Sequence, residues 1–361
     1  MFTLAYRNYI KMHFMRRYLL ILFLLTFSGV TLAQTVPPFV YYNNLNKQTE
    51  FPQNLQSARS VVVLNVADDK MKFAQTVHEK LRLMSLDVIL YIDYNDLSAG
   101  VDATGPILEY LNKRDVKYVI TFSNNSAGQY EMNITGMGNF LKPGQQKSAS
   151  FASINIDDLL KYVANELIKA ELEKTNFLIV ETPEFLTDAK VINGRKFEVH
   201  ARDIATLKLA VPKFQKVSKE VIDASSDKED IIQYNQKVER WNAELSNIMK
   251  SFPYEYELVD TTDEKELYRL GFQYALFSLN TKGITIKRML DMPVDESETD
   301  FISHANNKAL KRIGVNEVAS KYYIKQLYTN DIYTGDHWDA DTTWQESLEN
   351  FIFNYTVFVK I

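Results

Sequence analysis

The chain has 361 residues, of which 46% are hydrophobic and 24% charged, and it carries a formal net charge of −5. These proportions are typical of a folded globular protein and argue against an intrinsically disordered one, and the length favours two domains. The acidic balance, with no basic stripe to offset it, argues against a nucleic-acid-binding protein. Because there is no cysteine, disulfides, thiol catalysis, thiolate metal sites and the attachment cysteine of a lipoprotein are excluded.

The N-terminus has the three parts of a cleavable signal peptide. Arg16 and Arg17 precede an apolar run at 18–27, and a short stretch then leads to Ala33, after which cleavage is expected. We therefore predict a signal peptide at 1–33 and a mature protein that is periplasmic or secreted. The apolar run is shorter than the roughly 20 residues of a membrane span, and an uncleaved anchor is the alternative. No later segment is apolar enough to span a bilayer, so an integral membrane protein is not expected after cleavage.

The first half of the mature chain alternates between predicted strands and helices. Residues 34–58 are polar and contain three prolines, so we expect an extended lead-in. Short unbroken apolar runs then predict buried strands, and apolar residues at intervals of three or four predict helices. The first module is predicted at 59–174, with strands at 60–66, 86–92, 116–122, 129–135 and 147–154 and helices at 70–84, 106–111 and 157–173.

The second half repeats this alternation with longer connections. We predict a second module at 175–361, with insertions at about 184–225 and 292–319. Its most regular element is the amphipathic helix at 226–252. The predicted elements are strands at 176–181, 254–259, 272–279, 284–291 and 322–333, a hairpin or strand at 191–200, and helices at 226–252, 264–270 and 342–353.

Both halves therefore have the element order β-α-β-α-β-β-β-α. This order predicts an α/β protein (an α+β sandwich) built of two tandem modules with mixed sheets. Residues 108–120 and 266–276 share a finer pattern, in which a short helix and a turn lead into a strand with a tyrosine, Tyr118 or Tyr274. The repeated pattern predicts an internal duplication. The alternative is that two α/β units share common patterning without a common origin.

The predicted unit resembles the N-terminal domain of TolB and its relatives, which include the CsgG and LpoB envelope proteins. The resemblance implies a non-enzymatic periplasmic module that docks a partner protein or assembles with itself. The sequence departs from the family pattern at Asp115, where a glycine is usual, and in the insertions of the second module. The matching stretches are 61–66, 86–96, 115–122, 129–134 and the helix from Asp157, and in the second module 254–260, 270–279, 284–291 and the helix from Thr342.

The densest cluster of polar residues lies at 335–341. His337, Asp339 and Asp341 are residue types that bind metal ions, and in an extended segment they would lie on one side. The pattern suggests a metal site and, with it, a metal-dependent hydrolase centred on Asp336–Asp341. The simpler alternative is a turn followed by a helix that Asp341 caps.

The remaining histidines give weaker indications. His200 and Asp203 have the spacing of a base and a residue that orients it, but no nucleophile accompanies them. His78 is expected at the surface or boundary of its helix. No P-loop, dinucleotide-binding glycine motif, nucleophile elbow or zinc motif occurs, so no cofactor is predicted.

The long predicted helix offers a candidate surface for a partner. Tyr234, Trp241 and Leu245 belong to an apolar stripe with helical spacing, which suits a helix groove or an oligomer seam. The alternative is that the stripe packs on the helix's own sheet.

Three functions are compatible with these observations. We favour an exported interaction protein of the cell envelope, without enzymatic activity, that docks another envelope protein or self-associates. The alternatives are the metal-dependent hydrolase and a periplasmic protein that binds a small ligand or a glycan through exposed aromatic residues. An interaction protein predicts an exposed apolar patch or sheet edge, whereas a hydrolase predicts converging ionisable groups in a cleft.

Overall fold

Two six-stranded mixed sheets with flanking helices make up most of the computed structural model. The predicted α/β class with mixed sheets is confirmed. The predicted signal peptide at 1–33 lies outside the described residues, all of which belong to one compact unit. The structure describes residues 46–139, 147–186, 192–224, 228–295, 297–303 and 311–359.

The first sheet has a parallel centre and an antiparallel flank. Its strands are β1 (Asn46–Gln48), β2 (Arg59–Asn65), β3 (Asp87–Asp93), β4 (Val116–Asn124), β5 (Tyr130–Gly136) and β6 (Lys147–Ser153). They lie in the order β1-β6-β5-β4-β2-β3, and β2 runs parallel to both of its neighbours. The apolar run of β2 is buried on both faces, because Val62 and Leu64 enter one core and Val61 and Val63 the other.

Helices cover both faces of this sheet. They are α1 (Lys70–Leu83), α2 (Tyr94–Leu97), α3 (Val101–Lys113) and α4 (Ile156–Ala170). The apolar faces of α1 and α4 share one core with Val62, and α3 contributes Ile107 to the core on the opposite face. The side chain of Asp69 caps α1 and that of Asn155 caps α4 by accepting hydrogen bonds from backbone N–H groups.

The second sheet is assembled from strands farther apart in sequence. They are β7 (Lys196–Phe197), β8 (Leu209–Pro212), β9 (Tyr256–Val259), β10 (Tyr274–Lys282), β13 (Val318–Gln326) and β14 (Ile332–Tyr333). Their order is β7-β14-β13-β10-β8-β9. A separate antiparallel pair consists of β11 (Asp300–Ser303) and β12 (Lys311–Gly314).

The second sheet is also covered on both faces. Its helices are α5 (Lys219–Ala224), α6 (Lys228–Met249), α7 (Glu264–Arg269), α8 (Gly283–Met289) and α9 (Trp344–Val359). On one face α6 and α9 contribute Leu245 and Phe351 to a common core. On the other, α7 and α8 contribute Leu267 and Ile286. We refer to β1–β6 with α1–α4 as the first module, and to β7–β14 with α5–α9 as the second.

The two sheets have the same strand order and the same strand directions. β8 lies between β9 and β10 and parallel to both, as β2 lies between β3 and β4. β13 and β14 then follow β10 antiparallel, as β5 and β6 follow β4. A short parallel strand completes each sheet, β7 beside β14 and β1 beside β6. An internal duplication would produce this shared topology, and the common origin of the two modules stays a prediction.

One predicted strand is a helix. Residues 284–291 were expected to follow β10 as a strand, but Gly283–Met289 form α8. The buried residues Ile286, Met289 and Leu290 are separated by three and four positions, which is helical spacing. The apolar residues of this short stretch fit a strand less well than a helix, so the strand prediction is wrong.

Another predicted strand is absent, and four short strands were overlooked, among them β11 and β12 within the predicted insertion at about 292–319. Residues 176–181 form no strand, and the corresponding place beside β10 is taken by β8, which lies within the predicted insertion at 184–225. β1 likewise lies within the predicted lead-in at 34–58. An apolar run does not by itself reveal whether it is buried.

In the described ranges, no helix is long and apolar enough to cross a bilayer.

Candidate functional site

A segment of four apolar residues, three of them exposed and Ile179 half-buried, lies on the surface of the first module. Phe177–Val180, which we call the apolar segment, follow α4 and belong to no helix or strand. The exposed fraction is 79% for Phe177, 98% for Leu178 and 52% for Val180. Single exposed apolar residues are common, whereas a contiguous exposed group is a candidate for contact with another molecule.

Hydrogen bonds fix the start of the apolar segment to the first module. The backbone N–H of Asn176 donates to the carbonyl of Gln56 at 3.2 Å. Its side-chain amide donates to the carbonyls of Ala58 and Ser85 at 3.2 and 3.1 Å. The amide of Gln56 in turn donates to the carbonyl of Met84 at 2.6 Å, in the interior. The chain therefore enters the apolar segment from a defined position beside the C-terminal end of α1.

A buried histidine fixes the other end of the segment. His78 of α1 is buried, not at the surface or boundary as its helix pattern predicted. Its Nε2 lies 3.0 Å from the carbonyl oxygen of Val180, and its Nδ1 lies 3.1 Å from the hydroxyl of Tyr91. Because a carbonyl only accepts hydrogen bonds, Nε2 carries the proton, and in the neutral ring Nδ1 accepts from Tyr91. The chain Tyr91–His78–Val180 thus ties the segment to the interior.

Beyond the apolar segment, the chain joins the edge of the first sheet. Phe185 forms an isolated parallel bridge with Tyr91 of β3. The N–H of Tyr91 donates to the carbonyl of Glu184 at 2.8 Å, and the N–H of Leu186 donates to the carbonyl of Tyr91 at 3.0 Å. The apolar segment is therefore held at both ends while three of its four side chains stay exposed.

Acidic residues flank the apolar segment. Residues 171–184 include four glutamates and one lysine, a net charge of −3. Glu181 is only loosely paired with Arg82, at 3.9 Å, whereas Arg114 pairs with Glu184 at 3.1 Å. Carboxylates therefore lie on both sides of the apolar segment, and these two arginines offset the two on its C-terminal side, where Glu181 remains 84% exposed.

The predicted partner stripe on α6 is used within the chain. Leu245 is buried in the second core, and the ring of Trp241 lies 5.6 Å from that of Phe214 and 6.0 Å from that of Tyr234. The side-chain amide of Asn242 binds the backbone N–H and carbonyl of Phe214 at 2.8 and 2.9 Å. The chain at Phe214 thus packs along the helix, on the side that carries Trp241.

The structure does not bring the predicted metal ligands together. The side chain of His337 is 47% exposed, whereas Asp339 and Asp341 are buried. The carboxylate of Asp339 lies 2.7 Å from the ammonium of Lys321, and that of Asp341 is bonded by Lys311. Among the described residues, no three histidine, aspartate or glutamate side chains are grouped to hold a metal ion. The two aspartates therefore form internal ion pairs.

His200 and Asp203 also have separate surroundings. His200 is buried, its ring centroid is 4.6 Å from that of Tyr355, and its Nε2 lies 3.5 Å from the carboxylate of Asp336. Burial lowers the pKa of His200 to about 4, although Asp336 opposes this change. Asp203 instead accepts a hydrogen bond from Tyr274 at 3.4 Å. The arrangement is a packed interior histidine rather than a base with its orienting partner.

A buried polar junction joins the two modules. Asp102 at the start of α3 accepts hydrogen bonds from the hydroxyl of Tyr323 and the ammonium of Lys325, both at 2.6 Å. The same ammonium lies 2.7 Å from Glu264 of α7. Ala103, one residue after Asp102, enters the core of the second module. The start of α3 therefore packs between the two sheets.

The junction continues along β10. Asp96 accepts a hydrogen bond from Thr281 at 2.6 Å. Asp93 lies 2.5 Å from Lys70 within the first module and 3.1 Å from Lys282 of the second. Burial is the main cause that raises the pKa of Asp96. These charged groups neutralise one another across the junction.

Sequence reasoning missed both the apolar segment and the junction. For the segment a signal was present, since glutamates on both sides are unusual around a buried central strand. For the junction there was none, because Asp102 and Tyr323 are 221 residues apart.

Comparison of the chain with protein-family models, with curated proteins and with solved structures found no match.

Proposed function

We propose that the protein is an exported, non-enzymatic interaction protein of the cell envelope that docks a partner protein through the apolar segment. The observation that carries this proposal is the 98% exposure of Leu178 between Phe177 and Val180, which are also exposed. Leaving such a group of side chains in water is unfavourable unless another molecule covers it in the working state.

The anchoring of the segment supports docking over chance exposure. Asn176 and His78 bind the chain at its two ends, so the segment is already ordered before a partner arrives. An ordered surface loses less conformational entropy on binding than a flexible one. The resemblance to TolB-type modules and the predicted signal peptide agree with an envelope protein, and both stay predictions.

The proposal is tested by affinity purification of the tagged full chain from its native host. The detergent-solubilised envelope is purified with the wild type, with Leu178→Asp and with Ile154→Asp. Ile154 is the control position, because it is 79% exposed and precedes α4, whereas the apolar segment follows α4. The two ends of this 15-residue helix are about 22 Å apart. We expect the wild type and the Ile154 variant to retain the same envelope protein, and Leu178→Asp to lose it.

Because both side chains are exposed, neither substitution should change the free energy of unfolding by more than about 0.5 kcal/mol. Circular dichroism melts of both variants check this point. Two outcomes would contradict docking through the apolar segment. One is that the wild type and both variants recover the same proteins, and the other is that none of the three recovers any envelope protein.

One observation favours glycan binding as a second candidate. Tyr268 and Tyr328 are 50% and 77% exposed, and their ring centroids lie 6.1 Å apart at an interplanar angle of 28°. Exposed aromatic faces of this kind suit the apolar faces of sugar rings. Co-sedimentation with insoluble cell-wall glycan tests it, since Tyr328→Ala should release the chain to the supernatant if the two rings form the site.

A further inference from the structure

The shape of the apolar segment restricts what can cover it. Asn176 is bonded to Ser85, just beyond α1, and Val180 to His78, seven residues earlier. Seven residues of helix span about 10 Å, which four residues of chain cover only when they are largely extended. The segment therefore runs along α1 in the opposite direction, with an extended backbone.

Both sides of this extended chain are open. Phe177 and Leu178 are neighbours, so in an extended backbone their side chains point to opposite sides, yet both are more than three-quarters exposed. In the part of the chain that the structure describes, no group hydrogen-bonds to the backbone of Phe177, Leu178 or Ile179. A helix in a groove would cover one side only, whereas an added strand contacts both sides and the backbone.

The flanking charges distinguish between two kinds of strand. In a second copy of this chain paired antiparallel with the first, glutamates such as Glu173 and Glu181 of each chain would approach those of the other. Like charges opposite one another destabilise a strand pair. A strand flanked by lysine or arginine would instead place opposite charges beside these glutamates, which favours association and orients it.

We infer that the partner contributes an extended apolar strand with basic residues on both sides, which pairs with the apolar segment. This inference rests on the docking function proposed above and names the chemistry of the docked element. The four residues of the apolar segment provide about 13 Å of extended chain, enough for a strand of about four residues.

The test uses two synthetic peptides and fluorescence anisotropy. In the first, alternating valine and threonine residues lie between two lysine pairs, and in the second the lysines are replaced by glutamates. We expect the full-length protein to bind the lysine peptide at least tenfold more tightly than the glutamate peptide. Raising NaCl from about 0.05 M to about 0.5 M should reduce the difference, because salt screens exposed charges.

Protein variants provide the matched comparison. Leu178→Asp should abolish binding of the lysine peptide. Glu173→Lys combined with Glu181→Lys should reverse the preference between the peptides. The control, Glu198→Lys combined with Glu255→Lys, changes the net charge equally at exposed positions of the second module and should leave the preference unchanged.

Equal binding of both peptides, or an unchanged preference after the reversal at Glu173 and Glu181, would overturn the inference. So would binding to neither peptide, or a dimer that light scattering detects in the wild type and not in Leu178→Asp. These outcomes leave the docking function standing if Leu178→Asp still loses its envelope partner in the purification. The docking function itself is contradicted by a different result, namely that Leu178→Asp retains every protein that the wild type binds.

Discussion

Lys321 is unusual for a lysine because it lies in the interior of the second module. Its side chain is fully buried, its ammonium lies 2.7 Å from the carboxylate of Asp339, and it donates to the carbonyl of Thr334 at 2.6 Å. A buried charge is tolerated only when it is paired and hydrogen-bonded. Nothing in the local sequence around Lys321 distinguishes it from an exposed lysine of an alternating strand.

We predict that Lys321→Met destabilises the protein by about 3–5 kcal/mol, because the carboxylate of Asp339 stays buried without its partner. Urea denaturation measures the change. The double variant Lys321→Met with Asp339→Leu should recover much of the loss, since it removes both charges. A single variant as stable as the wild type would show that the pair contributes little.

Glu264 makes the stability of the junction dependent on pH. Burial, and then the negative charge of Asp102, raise the pKa of Glu264 to about 7, although Lys325 acts in the opposite direction. In the unfolded chain this pKa returns to about 4.3. Between these values the folded state binds more protons than the unfolded state, so the free energy of unfolding decreases as pH rises.

Glu264→Gln removes this titration, so we predict that the variant loses less stability than the wild type between about pH 5 and about pH 8. Urea midpoints at both pH values measure the difference. Glu255→Gln, at an exposed position, is the control and should behave as the wild type does. If Glu264→Gln keeps the wild-type dependence, another group is responsible for it.

The apolar segment is the element most dependent on a distant contact. His78 binds the carbonyl of Val180, and no other described side chain bonds to that carbonyl. Without the imidazole of His78, the chain between Asn176 and Glu184 loses the hydrogen bond that holds its middle. Proteases cleave segments that move freely and are exposed.

We predict that His78→Ala increases the rate of chymotrypsin cleavage after Phe177 or Leu178 severalfold, because the segment becomes mobile. Mass spectrometry of the early fragments locates the cut. Tyr91→Phe, which keeps the bond from His78 to Val180, should show a smaller increase. Early cuts spread over the first module would instead indicate general destabilisation.

The elements differ in how far the sequence predicts them. β2 and α4 were predicted within three residues of their observed ends, because a long buried run and a regular apolar face carry strong local signals. β8 has four residues and is recognisable only from its neighbours β9 and β10, which the sequence does not reveal. The apolar run at 177–180 does not by itself reveal that the segment is exposed, since burial depends on what packs nearby, and only the flanking glutamates point to it.

For the whole molecule, the junction decides whether the two modules behave as one body. A Cβ atom on Gly100 would lie 2.5 Å from the carbonyl oxygen of Ser278 in β10, so only glycine allows this approach of the two backbones. The N–H of Asn280 donates to the carbonyl of Ala99 at 2.7 Å beside it. A single residue, Gly100, therefore permits the close approach of these two backbone segments.

We predict that Gly100→Ala destabilises the protein by about 1–3 kcal/mol, because the junction must separate to accept the methyl group. Denaturant titration followed by tryptophan fluorescence and by circular dichroism measures the loss. Gly136→Ala, at a position where a Cβ atom has open space, is the control and should stay within about 0.5 kcal/mol of the wild type. Equal stability of the two variants would show that the junction is loose.

The junction also has a consequence for how the chain is made. Asp102 accepts hydrogen bonds from Tyr323 and Lys325, 221 and 223 residues later, so the ribosome has to synthesise most of the chain before they can meet. Until then Asp102 and Ala103 stay exposed to water, and contacts between such distant residues form slowly. The export that we propose would benefit from this delay, because the junction cannot close before most of the chain has been synthesised.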